Sequence, residues 1–333
     1  MKVAILDDYA DTLRTLDCFR LLRDHDVTVW TDHVQDVDTL AERLADTEVL
    51  VLIRERTAIS GDLLARLPRL RLISQSGPYP HVDVDACTRH GVVLSSGTGG
   101  GRPSYGTAEL TWGLILAAVR RIPQQMASLR AGGWQEGVGR TLRGRTLGIY
   151  GYGRIGRAVA GYGAAFGMDV LVWGSADGRR RAAEQGAVVA PDRRAFFAGC
   201  NVVTVHLRLV EATRGIITAD DLAAMRPDAL FVNTSRAGLV APEALVAALE
   251  AGRPGSAAVD VFDREPLVDP ADPLLARDDV VATPHLGYVT VEDLETQFTA
   301  VFEQVVAFAA GEPTNVVDPA ALPGRAPADR GRA

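Results

Sequence analysis

Cysteine is scarce, with three in 333 residues. Cys18, Cys87 and Cys200 are far apart, odd in number and form no CxxC pair. That argues against a disulfide framework or a structural zinc site and fits a reducing compartment. A basic surplus is also missing: 35 Lys and Arg stand against 42 Asp and Glu, a net charge of −7. Proteins that grip nucleic acid usually carry the opposite balance. Long apolar runs are absent, and the longest, 110–119, is about half a membrane span. The N-terminus places Asp7 and Asp8 where a signal peptide would need an apolar core. These absences predict a cytoplasmic protein with no membrane partner, no nucleic-acid partner and no bound metal.

Apolar residues, by contrast, are plentiful at 47%, and the length suits two domains of ordinary size. Short apolar runs at 2–6, 27–30, 49–53, 70–74 and 92–94 read as buried strands. Helical spacing at 13–23, 37–44 and 63–67 separates them. Strands alternating with helices imply a parallel sheet covered on both faces. The glycine- and proline-rich loop 95–106 marks a crossing to a second domain. A long apolar helix at 107–121 and a further helical stretch to 129 follow, then a strand at 146–150 and a second βα series to about 285. The last helix, 291–310, is expected to return to the first domain. The predicted fold is therefore α/β, with two Rossmann-like, doubly wound parallel-sheet domains. A nucleotide-binding domain, 103–287, is inserted into a discontinuous substrate domain, 1–102 and 288–317. The tail 318–333 has little to bury and is expected to be disordered.

Gly151-Tyr152-Gly153-Arg154-Ile155-Gly156 follows a strand and opens a helix. Gly151 permits the tight turn, Gly153 lets the backbone approach a pyrophosphate, and Gly156 lets helix and strand pack closely. The helix N-terminus offers free N–H groups to the phosphates. The next strand, 170–173, ends in Gly174-Ser175, where NAD sites usually carry Asp or Glu for the ribose hydroxyls. Arg179, Arg180 and Arg181 follow. They either meet a 2′-phosphate or form a solvated helix start, so NAD(H) and NADP(H) both stand.

Further segments complete a pattern: Val205-His206-Leu207 with Thr213 and Gly215; Asn233-Thr234-Ser235-Arg236; Asp260 through Glu265-Pro266; and Thr283-Pro284-His285-Leu286-Gly287. In this order the chain resembles the D-isomer-specific 2-hydroxyacid dehydrogenases over roughly residues 1–316. The resemblance implies that Arg236 forks onto the substrate carboxylate and 2-oxo oxygen, that His285 is the acid/base, and that Glu265 orients it. It adds Asp260 at the nicotinamide end, and His206, Thr213 and Thr234 along the cofactor. The chemistry agrees. Hydride addition to C=O builds negative charge on oxygen, a guanidinium stabilises it, and an imidazole supplies the proton. Plainer roles compete: a structural histidine, a surface ion pair at Arg236, a turn started by Glu265, a cap at Asp260.

In the first domain, Arg54 and the turn at Ser76-Gly77 are the corresponding substrate-binding segments. Gly77 would offer its backbone N–H, while Pro78 and Pro80 have none. Ala237 and Arg208 depart from the family's usual Gly and Pro. The expected function is transfer of a hydride between NAD(P) and a small 2-oxo or 2-hydroxy acid by a homodimer whose apolar helix 107–121 forms the contact. Alternatives are a nucleotide-binding, corepressor-like module and a dehydrogenase of another small anion, such as formate or phosphite.

Overall fold

A computed structural model describes residues 1–97, 105–267 and 269–322. The chain divides into two compact units, crossing after Pro103 and back after Val289. Both are α/β with purely parallel sheets.

The first unit holds β1 (Lys2–Ile5), β2 (Asp26–Val29), β3 (Val49–Val51), β4 (Leu72–Ser76) and β5 (Val93–Gly97), in the order β2-β1-β3-β4-β5. Three short helices, α1 (Val37–Arg43), α2 (Gly61–Leu64) and α3 (Val84–Arg89), connect them. Each starts on a side-chain cap: Asp36, Ser60 and Asp83 accept from Thr39, Leu63 and Ala86 N–H groups. β3 and β4 are buried on both faces, which explains their unbroken apolar reading. The C-terminal helix, Val291–Ala309, packs on this sheet through Leu294, Phe298, Val301, Phe302 and Val305, spaced for one helical face. Each such side chain contributes roughly 1.5–3 kcal/mol on burial.

Residues 13–23 depart from the expected α-helix. They form two 3₁₀ segments, Leu13–Thr15 and Asp17–Leu22, broken at an extended Leu16. Glu295 captures an N–H group that an α-helix would use, accepting from Cys18 at 2.7 Å, while Asp8 accepts from Thr12 and Leu13 at the start of the segment. The start of the supposed tail also differs. Asp318–Leu322 is ordered, with a 3₁₀ turn at Pro319–Ala321, a bond from Thr88 Oγ1 to Asp318 at 2.8 Å and a buried Ala321. Residues 323–333 and 98–104, most of the expected loop, lie outside the described residues.

The second unit opens with α4 (Gly106–Val119) and α5 (Ile122–Arg130), joined at Arg121 in the left-handed region at φ 55°. Then come β6 (Thr146–Tyr150), α6 (Arg154–Ala165), β7 (Asp169–Trp173), α7 (Ala176–Glu184), β8 (Val188–Val189), α8 (Arg193–Gly199), β9 (Val202–Val205), α9 (Ala219–Ala224), β10 (Leu230–Asn233), α10 (Ala244–Glu250), β11 (Ser256–Val259) and β12 (Val280–Ala282). The sheet order is β12-β11-β10-β9-β6-β7-β8. Strand order reverses between β6 and β9, and a doubly wound sheet binds its ligand beyond the carboxyl ends of strands at such a point. One core face is built from Phe196, Phe197, Val203, Phe231 and Leu245; the other from Trp112, Ile115, Leu147, Val159 and Val232.

The three cysteines are buried free thiols, and burial pushes each up to about 12. Among the described residues, no helix is long and apolar enough to cross a membrane, and no cluster of His, Cys, Asp or Glu could hold a metal ion.

Candidate active site

The glycine turn sits at the carboxyl end of β6, beside the reversal point. Gly151 has φ 104°, and its N–H donates to Trp173 O at 2.9 Å. A Cβ on Gly151 would lie 2.5 Å from His206 O, and one on Gly156 would lie 2.1 Å from Gly151 O. Neither position admits a side chain. Gly153, the N-cap of α6, would meet nothing within 4 Å. That open approach to a helix N-terminus fits a pyrophosphate. Tyr152 and Ile155 pack on the core, and Arg154 is exposed. Gly174 lies against the same turn, where a Cβ would come 3.8 Å from Gly151 Cα, and Ser175 caps α7 through Gly178 N–H.

Three other expected cofactor residues do local work. His206 continues from β9, and its Nε2 lies 3.1 Å from Thr204 Oγ1. Burial pushes its imidazole down to about 3, so the ring is neutral near pH 7. Thr213 Oγ1 donates to Arg208 O at 2.7 Å and accepts from Val210 N–H, closing a 3₁₀ turn. Thr234 Oγ1 lies 2.7 Å from Thr111 Oγ1, tying the end of β10 to α4.

His285 and Glu265, twenty residues apart, meet at 2.6 Å between Nδ1 and Oε2. The second Glu265 oxygen accepts from Phe262 N–H at 2.9 Å, so the carboxylate is held from both sides. Burial raises the Glu265 carboxyl, but the hydrogen bond and charge of His285, with help from Arg236, outweigh it and hold the group below its ordinary value. The Arg236 segment is fixed by Asn233, whose Nδ2 donates to Arg236 O and whose Oδ1 accepts from Ser235 N–H.

Asp260 organises the histidine turn. It is fully buried, one oxygen accepting from Thr283 Oγ1 (2.6 Å) and Leu286 N–H (2.7 Å), the other from Gly287 N–H (2.9 Å). Burial raises its carboxyl, and these three donors only partly offset the shift. This clamp brackets His285 and holds it at φ 55°, a left-handed conformation uncommon for histidine. Thr107 Oγ1 adds a bond to Gly287 O. Asp260 thus holds the turn that carries His285. Tyr288, whose ring stands edge-on to His285 at 5.6 Å, escaped the sequence reading, and Asn233 and Ser235 entered it only as part of a motif, without their supporting role. An aromatic three positions past the histidine was the available signal.

In the first unit, Arg54 follows β3 at φ 58° and lies 3.8 Å from Glu55. Ser76 ends β4, and Gly77 has φ 89°. The Gly77 N–H donates to Gly97 O at 3.0 Å, extending the β4–β5 ladder. A Cβ on Gly77 would lie 3.7 Å from Arg54 Nη1, which places the two expected substrate segments side by side.

Comparison with known proteins agrees with this geometry. Residues 112–287 match the model of the D-isomer specific 2-hydroxyacid dehydrogenase NAD binding domain. D-3-phosphoglycerate dehydrogenase of Methanocaldococcus jannaschii is 36% identical over 290 residues, covering 86% of this chain and 54% of that protein. The chain thus spans about half the length of this relative. Glyoxylate reductase of Aeropyrum pernix is 36% identical over 307 residues, 88% of this chain and 90% of that protein. A crystal structure from Ralstonia solanacearum, provisionally named a D-3-phosphoglycerate dehydrogenase oxidoreductase, is 49% identical with a TM-score of 0.92, covering 97% of this chain and 98% of that one. By motif, fold and alignment over most of its length, the chain belongs to the D-isomer specific 2-hydroxyacid dehydrogenase family.

Proposed function

We propose that this chain transfers a hydride between a nicotinamide coenzyme and a small 2-oxo or 2-hydroxy acid. The observation that carries the reading is the 2.6 Å pairing of His285 with Glu265 on a turn clamped by Asp260. When bound, the coenzyme supplies or accepts the hydride. Glu265 accepts from His285 Nδ1–H, which leaves Nε2 to give a proton to the substrate oxygen during reduction and to take it during oxidation. Arg236 binds the substrate carboxylate and stabilises negative charge growing on the 2-oxo oxygen. Arg54 and Ser76 are assigned further contacts with the acid. Relatives named for phosphoglycerate, glyoxylate and hydroxypyruvate mark the substrates to assay first.

For the coenzyme, NADP(H) stands beside NAD(H). No carboxylate occupies the Gly174-Ser175 end of β7, so nothing there repels a 2′-phosphate. Arg179 stacks over Trp173 at 4.1 Å, next to that end. Arg180 is drawn instead into pairs with Asp177 and Glu184. We assign Arg179 the 2′-phosphate contact.

A homodimer is also proposed. The helix expected to form its contact, α4, buries Ala108, Trp112, Leu114 and Ile115 in the second unit's own core. We assign the contact instead to Ile122, Met126 and Leu129 of α5, with Trp134 and Val138 after it, which expose a run of large apolar side chains.

The deciding experiment is a panel of 2-oxo acids with NADH and NADPH, repeated with His285→Gln and Arg236→Ala. Both variants are expected to lose at least about a hundredfold in turnover while still binding dinucleotide. Wild-type rates in either remove that residue from the mechanism.

A further inference from the structure

The segments that carry Arg236 and His285 leave the sheet from strands that do not touch: β10 and β12 are separated by β11. The element that lies across all three strands is α4. Its apolar side chains Ala108, Trp112, Leu114 and Ile115 already dock it in the second unit's core. Two threonines near its start make further contacts that this docking does not require. Thr107 Oγ1 donates to Gly287 O at 2.7 Å. Thr111 Oγ1 donates to Thr107 O at 2.7 Å and also lies 2.7 Å from Thr234 Oγ1.

A hydroxyl has one proton to give. Thr111 spends its proton on the Thr107 carbonyl, so in the pair with Thr234 it accepts and Thr234 donates. Protons therefore point one way, from Thr234 to Thr111 to the backbone of Thr107. The Thr107 hydroxyl then carries the connection on to the histidine turn. Thr111 and Thr234 are both buried, where such bonds reinforce one another.

The connection ends close to the chemistry on both sides. Thr234 lies two residues before Arg236, and Gly287 lies two after His285. On the first side, Arg236 Nη1 donates to Ser235 O at 2.7 Å, and Ser235 Oγ donates to Val205 O at 2.7 Å. On the second, Gly287 is held at both backbone groups, its N–H by Asp260 and its C=O by Thr107. A Cβ on Gly287 would lie 3.2 Å from Thr107 Oγ1 and 3.3 Å from Asp260 Oδ2, so the turn approaches α4 closely.

We infer that Thr107, helped by Thr111, is a positioning residue for hydride transfer, fixing the separation between the guanidinium that holds the acid and the imidazole that exchanges the proton. The role rests on the dehydrogenase reading of the site. Each threonine acts through the segment it holds, and a misplacement on the order of 1 Å can cost a hundredfold in rate.

The test is steady-state kinetics of the full chain with its preferred coenzyme and the 2-oxo acid it reduces fastest. The dinucleotide sites of each variant are first counted by fluorescence titration. Thr107→Val keeps the shape of the side chain and removes the hydroxyl. It should lower kcat per site by about tenfold, with KM for the acid within about twofold of the parent chain. Thr107→Ser restores the donor and should recover kcat to within about twofold. Thr111→Val cuts the connection on the Arg236 side and should instead raise KM for the acid by about fivefold or more. If Thr111→Val does not fold, the Thr107 pair decides alone. Parent kcat in Thr107→Val, a loss that Thr107→Ser does not recover, or a loss that only tracks the number of dinucleotide sites overturns the positioning role and leaves the dehydrogenase reading standing. A parent chain that reduces no 2-oxo acid overturns both.

Discussion

At the residue scale, the site depends on pairs that lie far apart in sequence. Glu265→Gln keeps the shape of the side chain but removes the charge that holds His285 Nδ1. The expected result is a drop in kcat of roughly ten- to a hundredfold with dinucleotide affinity unchanged, measured by steady-state kinetics and fluorescence titration. Gly156→Ala should do the reverse. Its methyl would fall 2.1 Å from Gly151 O, so the turn must deform and dinucleotide affinity should drop by at least about tenfold. Arg236, Glu265 and His285 were picked out by the order of the family's motifs, and of these the contact between Glu265 and His285 is seen. The clamp was not legible in the sequence. Nothing local to Asp260 says that its oxygens are taken by Thr283, Leu286 and Gly287, since those partners arrive from a neighbouring strand's exit. The Gly77 bond was hidden for a similar reason: what an N–H meets depends on what lies opposite, and Gly97 lies opposite.

At the scale of elements, buried parallel strands and amphipathic helices announce themselves by pattern, which is why β6 and the C-terminal helix fall where the periodicity puts them. The segment 13–23 shows the limit. Its leucines have helical spacing, yet Asp8 and Glu295 compete for the backbone donors, and one of those carboxylates comes from 277 residues away. The C-terminal helix gives a test of packing. Phe302 is fully buried and meets Phe298 and Phe19. Phe302→Ala should cost about 3–5 kcal/mol in denaturant unfolding. On the same helix, Gln304 is buried and bonded to Ser74 Oγ, Gln75 O and Asn315 Nδ2. Gln304→Leu strands these partners and should cost about 1–3 kcal/mol despite its added apolar surface.

At the scale of the whole molecule, acid should unfold the chain through carboxyls held low. Burial raises Asp221, but Arg193 and the Thr218 cap lower it further, and Glu265 behaves likewise with His285. A depressed folded value contributes stability that is present above the unfolded values of 3.8 and 4.5 and is lost as pH falls through the folded ones. Asp260 has the opposite sign: its raised carboxyl makes the fold slightly less stable as pH climbs past its ordinary range. Urea midpoints should hold near neutrality and fall below about pH 4.5, less steeply in Asp221→Asn. If the α5 face joins two copies, light scattering will report a dimer, and Met126→Glu with Leu129→Glu will yield monomer. The left-handed backbone at His285 has one more effect. The residue's backbone is pinned to the buried Asp260 and its ring to Glu265. On the proposed mechanism, acids of different size would bring their oxygen to a stationary ring, and selectivity among them would be a question of reach rather than of adaptation by the protein.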